Sequence, residues 1–149
     1  MKTHTFTAET WLPRSRDDVF RFFSDARNLQ KITPPWLNFV VLTPGEIVMR
    51  AGTFIDYKLR VHGIPFFWRS EITVWDPPSR FVDEQRQGPY LLWVHEHRFV
   101  AKDGGTLATD EVRYAVPGGS IVNRLFVARD VRKIFEFRTH KLKELLPPC

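Results

Sequence analysis

Between Leu37 and Val116 the chain reads as six strand-like segments in succession, with turn residues between them and no helical pattern. The segments are Leu37–Leu42, Thr53–His62, Phe66–Trp75, Arg80–Arg86, Leu91–Ala101 and Thr106–Val116. Pro44-Gly45, Gly63, Asp76-Pro77-Pro78, Gly88-Pro89 and Asp103-Gly104-Gly105 break them. Parallel neighbours need a crossover of roughly a dozen residues, usually a helix, and none is available here. The chain is therefore confined to an antiparallel meander.

The flanks supply the rest of the fold. Phe6, Ala8, Thr10 and Leu12 alternate with polar residues and predict a first strand. Ser15 caps a short helix that carries Val19, Phe20, Phe22 and Phe23, with Asp18 at the capping-box position. A second short helix starts at Asp25, runs to Ile32 and stops at Thr33-Pro34-Pro35. After Pro117-Gly118-Gly119 the period becomes helical up to Leu146. A wheel places Ile121, Leu125, Ala128, Val131, Phe135, Leu142, Leu145 and Leu146 on the face to be buried, with Arg138 inside that arc. Phe126 and Phe137 fall opposite, where a loop or a weak dimer contact would cover them. The expected architecture is α+β: a curved sheet of about seven antiparallel strands, two short helices after the first, and one long C-terminal helix packed on the sheet.

The 149 residues fit one domain, 1–149, with a core of its own. With 13 Phe, 5 Trp and 3 Tyr, the interior is filled with rings or has a cavity lined by them. The net charge of +5 comes from scattered Lys and Arg without a basic run, which argues against a nucleic-acid partner. No apolar run is long enough for a membrane helix, and residues 1–10 lack a signal-peptide core. The only cysteine is Cys149, so no internal disulfide forms. The expectation is a cytoplasmic protein with no integral membrane part.

Strand parity selects the residues that face inward. Glu96 and Arg98 suit water, so Trp93, His95, His97 and Phe99 point in; on the next strand Asp110, Val112 and Tyr114 do. A two-residue Asp103-Gly104 loop sets His97 opposite Asp110, His95 opposite Val112 and Trp93 opposite Tyr114. A Gly63-Ile64 turn pairs Leu59 with Trp68 and Tyr57 with Ser70. A turn at Asp76–Ser79 pairs Ile72 with Asp83 and Ser70 with Gln85. The inward set is mostly apolar, with Asp83, Gln85, His95, His97 and Asp110 as its polar minority. A solid core rarely holds so many polar groups; a ligand pocket does.

Val19-Phe-Arg-Phe-Phe-Ser-Asp-Ala-Arg-Asn-Leu29, Ile32-Thr-Pro-Pro-Trp-Leu37, Gly88-Pro-Tyr-Leu-Leu-Trp-Val-His-Glu-His97 and Thr109-Asp-Glu-Val-Arg-Tyr114 resemble a bacterial ligand-binding branch of the START-like (SRPBCC) superfamily, often labelled cyclase/dehydrase-like. The resemblance covers residues 4 to 146 and implies a helix-grip fold. The superfamily hosts both binders and enzymes, so fold alone does not decide the chemistry.

The expected function is binding of a small, largely hydrophobic molecule, lipid-like or aromatic, between the sheet and the C-terminal helix. Tyr57, Trp68, Trp93, Val112 and Tyr114 would pack it; Asp83, Gln85, His95, His97 and Asp110 would orient its polar end, and Arg138 would reach an inward carboxylate or an anionic group. The alternative is a cyclase, dehydratase or aromatase in which His97 and Asp110 form an acid–base pair. A third reading is an interaction module fused or bound to other proteins. His95-Glu96-His97 with Asp110 also forms a two-His-one-carboxylate set. The cupin family uses a similar His-x-His, but its usual Glu a few residues later is replaced here by Ala101 and Lys102. No metal and no cofactor are expected.

Overall fold

A computed structural model of the protein describes all residues, Met1–Cys149. Seven antiparallel strands form one sheet: β1 (His4–Leu12), β2 (Val40–Val41), β3 (Phe54–Val61), β4 (Ile64–Asp76), β5 (Arg80–Gln87), β6 (Leu92–Lys102) and β7 (Gly105–Ala115). Their order across the sheet is β1-β7-β6-β5-β4-β3-β2. β2 to β7 thus form a meander, and β1 closes the far edge against β7. Gly105 is required at that junction: a Cβ there would meet the Trp11 ring at 2.6 Å and the Leu12 carbonyl closer still.

Helix α1 (Arg16–Phe23) begins where the Ser15 side chain accepts the Asp18 N–H, and buries Val19, Phe20 and Phe23. Asp25 caps a 3₁₀ helix (Ala26–Ile32) through the Arg27 N–H. The segment expected as a strand at Leu37–Leu42 is instead a second 3₁₀ turn (Pro35–Leu37), with only Val40–Val41 in the sheet. Pro34-Pro35 bends the chain, and Asn38 then adopts a left-handed conformation, φ 47°, that no strand continues through.

Two hairpins carry the expected registers. β6 and β7 pair His97 with Asp110, His95 with Val112 and Trp93 with Tyr114. β4 and β5 pair Ile72 with Asp83 and Ser70 with Gln85, then shift at a bulge before Val74. The β3–β4 hairpin differs by two residues: its turn is His62-Gly63, both at positive φ, and Tyr57 lies opposite Trp68. A shift of two preserves every side chain's face, so the inward set stands. Every residue assigned to it above is buried or half-buried.

The C-terminal helix runs Gly119–Leu145, as α2 (Gly119–Val122), a π turn (Asn123–Val127) and α3 (Ala128–Leu145), 27 residues in all. α3 buries Val131, Phe135, Arg138 and Leu142 on the concave face of the sheet. Ile121 and Leu125, expected on that face, are 64% and 58% exposed, and Leu145 lies at the edge. The π turn is the cause. It widens the helix to an i→i+5 repeat for one turn, so a uniform wheel loses phase on its N-terminal side. Val122 and Val127, five apart, turn inward instead. Phe137 is covered by Trp36 of the 3₁₀ turn, ring centroids 5.9 Å apart, whereas Phe126 stays exposed. No helix is long and apolar enough to cross a membrane.

Candidate functional site

Sheet and helix do not meet everywhere, and the gap is a cavity of about 820 Å³. Its walls are largely aromatic. Trp68, Tyr90 and Trp93 stand at 4.7 to 5.6 Å between ring centroids, with Phe66 and Tyr57 beside them and Ile134 and Phe135 opposite on α3. The mouth is polar: His62 of the β3–β4 turn contacts Asp130 of α3 at 2.7 Å, and Lys133 lies on the same rim.

The floor is a charged cluster drawn from β5, β6, β7 and α3. His95 and His97 alternate with Glu96, so both point inward, and their rings stack at 3.6 Å. Phe81 stacks on the far side of His97 at 3.9 Å. By register, Asp83 lies opposite His95 and Asp110 opposite His97. The hydrogen bonds run diagonally. His97 Nε2 is 2.6 Å from Asp83 Oδ2, and His95 Nε2 is 2.7 Å from Asp110 Oδ1. Imidazoles that lean along their strand carry Nε2 past the facing residue to the next pair. The expected His97–Asp110 pair is therefore corrected: His97 Nδ1 is 3.5 Å from Asp110 Oδ1, and its direct carboxylate partner is Asp83.

Arg138 fixes the proton positions. Its Nη2 donates to Asp110 Oδ1 and faces His97 Nδ1, both at 3.2 Å. A guanidinium only donates, so His97 Nδ1 accepts and Nε2–H donates to Asp83. His95 Nε2–H donates to Asp110, and its Nδ1 makes no hydrogen bond; the nearest carboxylate oxygen, Asp83 Oδ2, is 3.8 Å away. The same tautomer weighs against a metal on Asp83, His95 and His97, whose ligand atoms lie within 4.8 Å of one another. A metal on His97 Nε2 needs the proton on Nδ1, where Arg138 already points a donor.

Burial sets the electrostatics. It pushes the Asp83 carboxyl up, against the pull of His95 and Arg138 and with Asp110 adding repulsion. It also pushes His97 well below the usual imidazole value, helped by His95 and Arg138. Asp110 is buried too, but Arg138 and the His95 hydrogen bond outweigh burial and hold it below the carboxylate range. Burial raises the Tyr57 and Tyr90 phenols, which are O–H groups at neutral pH. Arg138 Nε is buried and makes no hydrogen bond to a protein group.

Of the residues expected to bind a ligand, Tyr57, Trp68, Asp83, Trp93, His95, His97 and Arg138 line the cavity. Gln85, Asp110, Val112 and Tyr114 lie behind it. Gln85 holds both the N–H and the carbonyl of Tyr90, at 3.0 and 2.8 Å, and thereby folds the β5–β6 loop inward. Tyr114 donates to Asn123 of the π turn at 2.7 Å. Val112 is fully buried against Val131 and Phe135. Tyr57 bonds Ser70, which also takes the Trp68 N–H, so this wall is rigid. Sequence reasoning missed Tyr90, Phe66, Ile134 and the polar mouth. An aromatic beside Gly88-Pro89 was the one available signal for Tyr90.

A curved antiparallel sheet gripping one long helix around an apolar cavity defines the helix-grip class, and the chain is an SRPBCC protein. Residues 12–140 match the family described as polyketide cyclase / dehydrase and lipid transport, and the chain belongs to it. No curated protein sequence matches the chain significantly. Among solved structures it is similar to the di-domain ARO/CYC BexL from the BE-7585A biosynthetic pathway, with TM-score 0.75, 19% identity, 99% of this chain and 51% of that one. It is similar to major latex-like protein 151 from Panax ginseng, with TM-score 0.73, 14% identity and 99% and 100% coverage. It also resembles part of a nucleoside-diphosphate sugar epimerase from Corynebacterium glutamicum, with TM-score 0.70, 27% identity, 93% of this chain and 28% of that one.

Proposed function

We propose that the protein binds one small, largely apolar molecule in the cavity between the sheet and the C-terminal helix. The observation that carries this is the combination of about 820 Å³ of space, aromatic walls and a buried polar floor at one end. Tyr57, Trp68, Tyr90 and Trp93 pack the apolar body; Asp83, His95 and His97 orient its polar end. Family membership supports the same reading. Native mass spectrometry of protein purified from its own host tests it. A single co-purifying molecule of matching size is expected; a ligand that survives cavity-filling at Val127→Trp would overturn the assignment.

A cyclase- or dehydratase-type reaction is the second reading, and the Asp83–His97 pair favours it. A carboxylate pushed up by burial and hydrogen-bonded to a neutral imidazole is suited to moving a proton at a carbonyl compound. Asp83→Asn separates the two readings. Under catalysis turnover of a found substrate falls by about 10²- to 10⁴-fold with binding retained. Under binding alone, only affinity changes.

A further inference from the structure

The floor cluster contains two carboxylates, Asp83 and Asp110, and one guanidinium, Arg138. Arg138 is committed to Asp110 and lies over the Phe23 and Phe135 rings, at 5.3 and 5.6 Å. Asp83 accepts from His97 Nε2–H and makes no direct contact with Arg138, and its side chain is still 17% exposed to the cavity. His95 is 5% exposed, and its Nδ1 makes no hydrogen bond within the protein. Asp83 Oδ2 and His95 Nδ1, 3.8 Å apart, thus share one end of an aromatic cavity in a cluster with one more carboxylate than guanidinium. A buried unpaired charge is costly, so something with a positive charge and hydrogens to donate belongs there. The tautomer of His97 weighs against a metal, as above. A proton on Asp83 also closes the charge, and an ammonium seated there competes with it.

Resting on the cavity-binding reading above, we propose that the ligand carries a protonated amine on an apolar, ring-sized body. Its ammonium donates to Asp83 and His95 Nδ1, displaces the proton held there, and lies against the aromatic box of Trp68, Tyr90 and Trp93. Asp83 must be ionised to take the ammonium. His95, His97, Arg138, Asp110 and the Tyr57 phenol all face it and set how readily it ionises. Asp130, Lys133 and His62 stand at the mouth. Affinity for the amine therefore falls as acid protonates Asp83, and falls again above the amine's own pKa.

The test uses a matched set on the full chain: 2-(1-naphthyl)ethylamine, 2-(1-naphthyl)ethanol and 3-(1-naphthyl)propionate. Each displaces the neutral fluorophore N-phenyl-1-naphthylamine. The amine should bind about 10- to 100-fold tighter than the alcohol, the size of one buried charge-assisted hydrogen bond. Asp83→Asn should remove that preference, so that the amine binds no tighter than the alcohol, and a far-ultraviolet circular dichroism spectrum matching wild type reports that the variant folds. Should the fluorophore bind wild type but the alcohol equal the amine, the amine proposal fails and cavity binding stands. A tighter carboxylate would point to Arg138 as anchor and overturn it likewise. If even the fluorophore does not bind, the cavity reading fails with it.

Discussion

His97 and Asp110 face each other on neighbouring strands, yet acid removes their contributions to stability at different depths of the acid range. Burial holds His97 neutral in the fold, well below the usual imidazole value of 6.5. The unfolded chain takes up that proton first as pH falls. The stability due to His97 is therefore complete above about pH 6.5 and is lost below it, by up to ~1.4 kcal/mol per pH unit. Asp83 opposes this, because its raised carboxyl is relieved of charge on acidification. Asp110 is held low, so its contribution is lost only in strong acid. Urea melts between about pH 5 and 6.5 should show stability falling with acid in wild type and a flatter profile in His97→Gln. Identical profiles would mean His97 is not the titrating group. Asp110→Asn leaves Arg138 buried without its counter-charge, and should cost about 3–5 kcal/mol of stability. Since Asp110 does not itself line the cavity, its replacement should change stability more than ligand affinity, and comparing the melt with a binding titration checks this.

Among the elements, the C-terminal helix depends most on a feature the wheel did not carry. Phe135 is 4% exposed and Val131 fully buried, while Leu125 is 58% exposed. Phe135→Ala should cost about 3–5 kcal/mol and Leu125→Ala less than about 0.5 kcal/mol, read from chemical denaturation. Equal costs would mean that the helix keeps an unbroken 3.6 repeat through residues 123–127. The contrast also explains what was legible beforehand. Strand faces could be read because a period of two survives a two-residue slip, as at His62-Gly63. The inward residues are therefore legible in the sequence. The π turn was not legible, since nothing in Asn123–Val127 by itself breaks a 3.6 pattern. Nor was the diagonal hydrogen bonding of His95 and His97, which depends on how the side chains lean rather than on which face they occupy. Residue 37–42 hydrophobicity suggested a strand, but Pro34-Pro35 and left-handed Asn38 turn most of it into a cover over the cavity. Tyr90 reaches the wall only because Gln85 grips its backbone, a contact that strand periodicity does not encode.

In the whole molecule, the sheet and the helix form two separate apolar clusters, one around α1 and β3–β6 and one around Val112, Val131 and Phe135. Members of both line the cavity, so its space is built into the fold rather than into one loop. Its occupant should be apolar, singular and sensitive to the wall. The most direct test is a fluorescence titration of the full chain with N-phenyl-1-naphthylamine, alongside the cavity-filling variant Val127→Trp. The account predicts saturable binding of one fluorophore per chain in wild type, with quenching or transfer from Trp68 and Trp93, and at least about tenfold weaker binding in a variant whose thermal unfolding is little changed. Absence of saturable binding, or binding that Val127→Trp leaves untouched, would contradict it.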